Sequence, residues 1–284
     1  YAKKLKPEDF AWFGEETDLN VSIGALCDNY DRIGNISLSL LPKGSEYAPS
    51  EDMRFELARF ITPFMNMNAQ PYEVPYHFDA RLLSMIFRDK SLQEKYDFWL
   101  EFEIFGIPYA ANVQITGCGD RNDVFKGTLE FVAHDEPASA VTDHLLVPIY
   151  HKIPEIHGDK NLNNHNPDAC DKIGETSRTW KVTVPEDLAD ASITLQLSNH
   201  GANAGGEEYN RREHFVYFDG ELIATFTPGG KSCEPYRFYN TQGNGIYGSY
   251  PKSDRAWARN SNWCPGDLVP IRVFNLGKLA KGEH

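Results

Sequence analysis

The segment His214-Phe-Val-Tyr-Phe-Asp-Gly-Glu-Leu-Ile-Ala-Thr-Phe226 leaves the chain least freedom. Asp219-Gly220 stands between two extended runs. A two-residue connection of this composition closes as a type I′ turn, because both central positions need positive φ. Pro228-Gly-Gly230 ends the unit. The surrounding chain follows the same extended pattern. Ile36-Ser-Leu-Ser-Leu-Leu41 alternates and stops at Pro42-Lys-Gly44, and Arg59-Phe-Ile-Thr62 stops at Pro63. Phe98-Trp-Leu-Glu-Phe-Glu-Ile-Phe105 puts Phe98, Leu100, Phe102 and Ile104 on one face and Glu101 and Glu103 on the other, a half-buried strand. Residues 128–133, 143–150, 180–184 and 192–198 read as further strands. Residues 79–90 read as one short helix, and residues 1–19 carry no clear period. Residues 151–175 read as a polar loop and 239–266 as a long surface loop, a length that usually carries function.

His134-Asp-Glu-Pro-Ala-Ser-Ala140 breaks the pattern and divides the strands into two blocks. Two blocks of roughly 130–150 residues, each built of short strands, predict two antiparallel sandwiches or jelly rolls. Composition agrees: aromatic residues reach 13%, and charged residues at 24% fit a folded globule. The 41 acidic against 28 basic residues give a net charge of −13, which argues against a nucleic-acid or anionic-membrane binder, since these need a basic face. Mean hydropathy is −0.50, and no apolar run approaches the ~18 residues of a membrane span. The five cysteines form no CxxC pair, so zinc-ribbon and thioredoxin chemistry are excluded. They fit buried thiols of a cytosolic protein, or disulfides of an exported one, and the aromatic, Pro/Gly-rich all-β pattern favours export. An odd count leaves at least one thiol unpaired. No signal peptide starts the chain at Tyr1, so the expectation is either that one has been removed or that there was none.

No GxSxG, Walker A or HExxH signature occurs. Asp28-Asn-Tyr-Asp31 opens like a calcium loop but puts Tyr30 and Arg32 at ligand positions. His144, His151, His157 and His165 are spread over a loop-rich region and read as solvated rather than as metal ligands. Two acidic clusters each carry nearby arginines and precede a strand: Cys27-Asp-Asn-Tyr-Asp31-Arg32 and Gly205-Gly-Glu-Glu208-Tyr-Asn-Arg211-Arg212-Glu-His214. One carboxylate from each block, meeting across a cleft, is the geometry of a two-acid hydrolytic site. Adjacent arginines hold such acids ionised or clamp a carbonyl oxygen. Asp–Arg pairs at strand starts are also ordinary surface salt bridges. A third cluster, Arg255-Ala-Trp-Ala-Arg259-Asn-Ser-Asn-Trp263-Cys-Pro-Gly266, suits either sugar stacking on indole or a Trp263 filling a core gap beside a disulfide.

Trp263-Cys-Pro-Gly266 preceded by Arg, Cys27-Asp-Asn-Tyr-Asp-Arg32 opening a strand, Arg59-Phe-Ile-Thr-Pro63, and Gly-Glu-Glu-Tyr209 followed by Arg212 and His214 occur in family order. Together, from about Ala25 to about Val273, they resemble the bacterial peptide-N-glycosidase F family, the amidases that release N-linked glycans. The resemblance implies an all-β fold of two eight-stranded antiparallel jelly-roll sandwiches packed side by side. Residues 1–24 are then an N-terminal extension, 25–136 the first jelly roll and 137–284 the second. It implies Asp31 as the essential aspartate and Glu208 as the catalytic glutamate. It sets Arg32 and Arg259 near the acids, with Arg255 as the alternative to Arg259. Tyr30, Pro108, Tyr109, His200 and Trp263 complete the candidate residues that bind or orient substrate. It implies a Cys233–Cys264 disulfide, no cofactor and no metal. The partners are N-glycosylated peptides or proteins, and the place of action is secreted or periplasmic.

The chain departs from the family at Pro108, where an acidic residue falls in a Gly-x-Glu-Tyr context. Gly206 and Asn210 replace the cysteine pair that brackets the glutamate, and of the pair before Asp31 only Cys27 is kept. Pro108 offers no side-chain acceptor, so the groove there is expected to be roomier and to admit a fucose on the core sugar. The last residues, from Lys278, read as a strand about to begin, which implies that a second polypeptide or a removed tail supplies the last strands. Two rival classes stand beside the amidase: a jelly-roll lectin without catalysis, and a copper monooxygenase on a related fold. The latter lacks clustered ligands, because Met53, Met65, Met67 and Met85 have only His77 near them in sequence.

Overall fold

The structure, a computed structural model, describes residues 1–49, 53–108, 113–138, 144–149, 179–202, 207–243 and 246–284. Tyr109, His151, His157, His165, Cys170, Gly206 and the whole of the expected loop 151–175 lie outside the described residues. The chain forms two compact units. One is Tyr1–Leu146 with Cys233–Lys252 and Cys264–Leu268, and the other is Val147–Ser232 with Ser253–Trp263 and Val269–His284.

The first unit holds β1 (Ala2–Lys4), β2 (Thr17–Ala25), β3 (Ile33–Pro42), β4 (Arg54–Ile61), β5 (Glu73–Asp79), β6 (Tyr96–Ile104) and β7 (Phe125–Ala133). They pair antiparallel into a four-stranded sheet, β1-β6-β3-β4, and a three-stranded sheet, β5-β2-β7. One apolar core takes Leu19, Val21 and Ile23 from β2, Val74, Tyr76 and Phe78 from β5, Ile36, Leu38 and Leu40 from β3, and Phe98 from β6. Burying a side chain of this size contributes roughly 1.5–3 kcal/mol. Residues 1–24, expected as an N-terminal extension with no clear period over 1–19, supply β1 and most of β2. The alternation Leu19-Asn-Val-Ser-Ile23 was legible but sits at the edge of a charged stretch. The single helix expected over 79–90 is two, α1 (Arg81–Arg88) and α2 (Lys90–Lys95). Asp89 between them is extended, and its carboxylate accepts the Leu92 N–H at 3.0 Å as the N-cap of α2.

The outward face of β6 is solvated only in part: Glu103 is exposed as its alternation suggests, and Glu101 is not. Glu101 is only 5% exposed. It accepts hydrogen bonds from Ser39 Oγ at 2.5 Å and Arg54 Nε at 2.7 Å. The Tyr47 ring packs on Trp99 at 4.9 Å, and burial followed by the Glu101 charge pushes the Tyr47 hydroxyl up to about 12. Alternation identifies which side chains share a face, but a covering chain decides whether that face is wet.

The second unit holds β8 (Thr183–Val184), β9 (Leu188–Gln196), β10 (His214–Phe218), β11 (Glu221–Phe226), β12 (Ile271–Leu279) and β13 (Gly282–Glu283). Among the described residues they form three antiparallel pairs, β10–β11, β9–β12 and β8–β13. Asp219 at φ 50° and Gly220 at φ 82° form the positive-φ turn that the sequence demands. The expected strand at 180–184 is confined to β8. Residues 144–149 of the strand expected at 143–150 are not in a sheet, and Pro148 lacks the N–H a ladder needs.

Residues 239–266 are a surface loop only in part: Tyr250, Arg255 and Arg259 are exposed, whereas residues 261–266 are buried. Glu234–Tyr239 is a 3-10 turn, Asp254–Trp257 is the short helix α3, and Trp257, Trp263 and Cys264 are buried. Polar side chains replace sheet hydrogen bonds there. Asn240 Oδ1 accepts the Phe64 N–H at 2.9 Å, and its Nδ2 donates to the carbonyls of Tyr236 at 2.8 Å and Pro265 at 3.1 Å. Asp267 Oδ1 accepts from Tyr236 Oη at 2.5 Å and from the Leu268 N–H at 2.8 Å.

Candidate active site

The acidic segment of the first unit follows β2 directly. Cys27 is buried and disulfide-bonded to Cys118, 91 residues away. Asp28 next to it is fully buried, Asn29 nearly so, and Tyr30, Asp31 and Arg32 are half-buried. Arg32 forks onto Asp28 rather than onto its neighbour Asp31, with Nε–Oδ2 at 2.8 Å and Nη2–Oδ1 at 3.3 Å. The motif Arg59-Phe-Ile-Thr-Pro63 has its explanation here. Thr62 Oγ1 accepts the Arg32 N–H at 2.7 Å and donates to the Tyr30 carbonyl at 3.0 Å, and the Thr62 N–H donates to the Arg32 carbonyl at 2.8 Å. Asn29 Nδ2 donates to Gln114 Oε1 at 2.9 Å, and Gln114 Nε2 donates to Tyr30 Oη at 3.2 Å. Pro108 is half-buried and follows Ile107, whose N–H donates to Asp28 Oδ2 at 2.8 Å. Asp31 is therefore carried on a loop whose neighbours are fixed by a disulfide, a buried ion pair and a threonine.

The acidic segment of the second unit divides its work differently. Arg212 forks onto Glu207, Nε–Oε2 at 2.8 Å and Nη2–Oε1 at 3.1 Å. Arg211 donates to the carbonyls of Ala258 at 3.2 Å, Asn260 at 2.9 Å and Pro228 at 3.1 Å, and to Asn262 Oδ1 at 2.7 Å. Both arginines are thus structural ties, and neither forks onto Glu208. Glu208 is half-buried, and burial raises its carboxyl above the usual range, against a hydrogen bond from Tyr209 that lowers it. Its backbone is pinned by the Asn262 N–H, which donates to the Glu208 carbonyl at 2.9 Å. His214 Nδ1 lies 3.0 Å from the Arg212 carbonyl, and burial lowers the pKa of its ring.

Trp263 is buried, and its indole N–H donates to the Asn199 carbonyl at 2.9 Å. His200 stacks on it at 5.4 Å and contacts Ser198 Oγ through Nε2 at 2.8 Å. Of the two readings of Trp263, the buried one beside a disulfide describes its place, because Cys264 is bonded to Cys233. Arg255 and Arg259 are exposed around α3, and the Arg259 side chain has no hydrogen bond or ion pair with a described residue. The sequence reading missed Asp28, Thr62 and Arg211 as organisers. Asp28 was visible as part of a failed calcium loop and of the acidic cluster before Arg32, but no spacing rule marks a pair four residues apart in non-helical chain. No cluster of three or more potential metal ligands occurs among the described residues.

Residues 1–118 match the family described as peptide-N-glycosidase F, N terminal, and residues 169–284 match peptide-N-glycosidase F, C terminal. Among solved structures, PNGF-II in a C2 crystal form is 20% identical with a TM-score of 0.64, over 99% of this chain and 54% of that one. PNGF-II in a P21 form is 19% identical with a TM-score of 0.63, over 99% and 54%. Recombinant peptide: N-glycanase F (PNGase F) is 14% identical with a TM-score of 0.51, over 100% of this chain and 78% of that one. The chain spans about half the length of the PNGF-II chain. No curated protein matches the sequence. The structural likeness establishes an all-β protein of the jelly-roll sandwich class. Within that class, the two sequence matches place the chain in the peptide-N-glycosidase F family.

Proposed function

We propose that the chain is a peptide-N4-(N-acetyl-β-glucosaminyl)asparagine amidase acting on N-glycosylated peptides or proteins. Water adds to the side-chain amide carbonyl of the glycosylated Asn. The C–N bond then breaks, leaving Asp and a glycosylamine that later sheds ammonia. Asp31 orients and activates the water. Glu208 hydrogen-bonds the water and the groups near the first sugar. Arg32 and Arg259 stabilise the carbonyl oxygen as it gains negative charge. Tyr30, Pro108, Tyr109 and His200 bind or orient the substrate, with Trp263 beneath His200. Acid–base and oxyanion assistance suffice for amide hydrolysis, so no cofactor is invoked. The observation that carries the reading is the contrast within one turn: Glu207 is spent on Arg212, whereas burial alone raises Glu208. A carboxyl so perturbed on a pinned backbone suits a catalytic group.

Two disulfides suit an oxidising compartment, and we infer a secreted or periplasmic enzyme. Among the described residues no helix is long and apolar enough to cross a membrane. Incubation with an N-glycopeptide and mass analysis of the peptide tests the reading. Conversion of the glycosylated Asn to Asp is expected. Binding without release identifies the lectin alternative, which Pro108 in place of an acid favours.

A further inference from the structure

Asp28 has no assigned role, yet its carboxylate is densely hydrogen-bonded. It is fully buried and receives four hydrogen bonds: from Tyr30 N at 3.0 Å, Ile107 N at 2.8 Å, Arg32 Nε at 2.8 Å and Arg32 Nη2 at 3.3 Å. A carboxylate out of water needs this many donors. The two from Arg32 occupy one edge of the guanidinium. The Tyr30 and Phe105 rings flank its carbon at 5.0 Å and 5.3 Å. The Arg32 backbone is fixed on both sides by Thr62. Nη1 makes no hydrogen bond to a described residue, and the side chain is 16% exposed. One edge of Arg32 is therefore locked, and the other is left for a ligand oxygen. The same Asp28 oxygen holds Ile107, the residue before Pro108, so a single buried group sets the position of both segments.

We propose that Asp28 is a positioning residue that makes Arg32 a one-edged donor, aiming Nη1 at the oxygen of the scissile amide. The assignment rests on the amidase reading. It differs from a purely structural role because the effect passes through Arg32 and is felt when the oxygen gains charge, in kcat rather than in KM.

Kinetics of glycan release are measured with an N-glycopeptide for the wild type, Asp28→Asn, Arg32→Lys and the double variant, with thermal melting beside them. Asp28→Asn is expected to lower kcat by about 10²-fold with little change in KM. Arg32→Lys keeps the charge but cannot fork. The double variant is expected to be no slower than the slower single variant. Should Asp28→Asn fail to fold, Phe105→Leu, at a ring that is 55% exposed, reads the same alignment as a several-fold loss in kcat at unchanged KM. Wild-type kcat in Asp28→Asn or Phe105→Leu, or additive losses in the double variant, overturns the proposal. A wild type that releases no glycan overturns the amidase reading and this assignment together. An active wild type with an indifferent Asp28→Asn overturns this assignment alone.

Discussion

Glu207 and Glu208 are chain neighbours with opposite physics. Glu207 is 12% exposed and forked by Arg212, so losing it strands a half-buried cation. Glu208 carries a burial cost instead. Its sign follows from linkage. A carboxyl raised in the folded state contributes stability that is present below the unfolded value of ~4.3 and is lost as pH rises through the folded value. Ionised Glu208 therefore destabilises the fold near neutral pH. Glu208→Gln keeps the shape and removes the charge. It is expected to abolish glycan release while leaving Tm at pH 7 equal to or above that of the wild type. Glu207→Gln is expected to retain measurable release while losing about 1–3 kcal/mol of stability, read by denaturant titration. The reverse pattern would move the catalytic role to Glu207. Both acidic segments were legible in the sequence as acid next to arginine. Which acid each arginine engages was not, because that depends on the direction of side chains in turns without a period.

At the scale of elements, the β10–β11 hairpin shows local chemistry deciding structure. Gly220 at φ 82° needs no Cβ, whereas an alanine forced into the left-handed region costs about 1–2 kcal/mol. Gly220→Ala is expected to lower Tm accordingly, without a change in KM. An unchanged Tm would mean that the connection in solution is not this turn. Strands with alternation or a turn signal, such as β3, β6, β7 and β9 to β11, can be read from sequence. The 239–266 region cannot, because it is held by Asn240 and Asp267 accepting and donating across large sequence separations. Its Gly, Asn and Ser content is the mark of a loop, and only tertiary hydrogen bonds reveal that its two ends are tied into the fold and its last residues, 261–266, buried.

Cross-linking acts on the whole molecule. Cys27–Cys118 spans 91 residues and Cys233–Cys264 spans 31, and both lie in the first unit. The longer pairing was open in the sequence, since five cysteines at uneven spacing name no partner, and the shorter one came only with the family resemblance. In the chain-entropy relation a bridge stabilises by shrinking the unfolded ensemble, and the cost of closure grows with the logarithm of loop length. The longer bridge is then worth roughly 1 kcal/mol more than the shorter. Its position adds a second consequence. Cys27 precedes Asp28, and Cys118 lies four residues beyond Gln114, which hydrogen-bonds Asn29 and Tyr30. Breaking it loosens the loop carrying Asp31 as well as the fold. The Cys27→Ser/Cys118→Ser variant is thus expected to show the larger fall in Tm and, well below that Tm, a deeper loss of kcat than Cys233→Ser/Cys264→Ser. Melting curves and release rates for the two paired variants check both halves. An inverted order of Tm refutes the loop-length argument, and equal kcat in the two variants refutes the coupling of the bridge to the acidic loop.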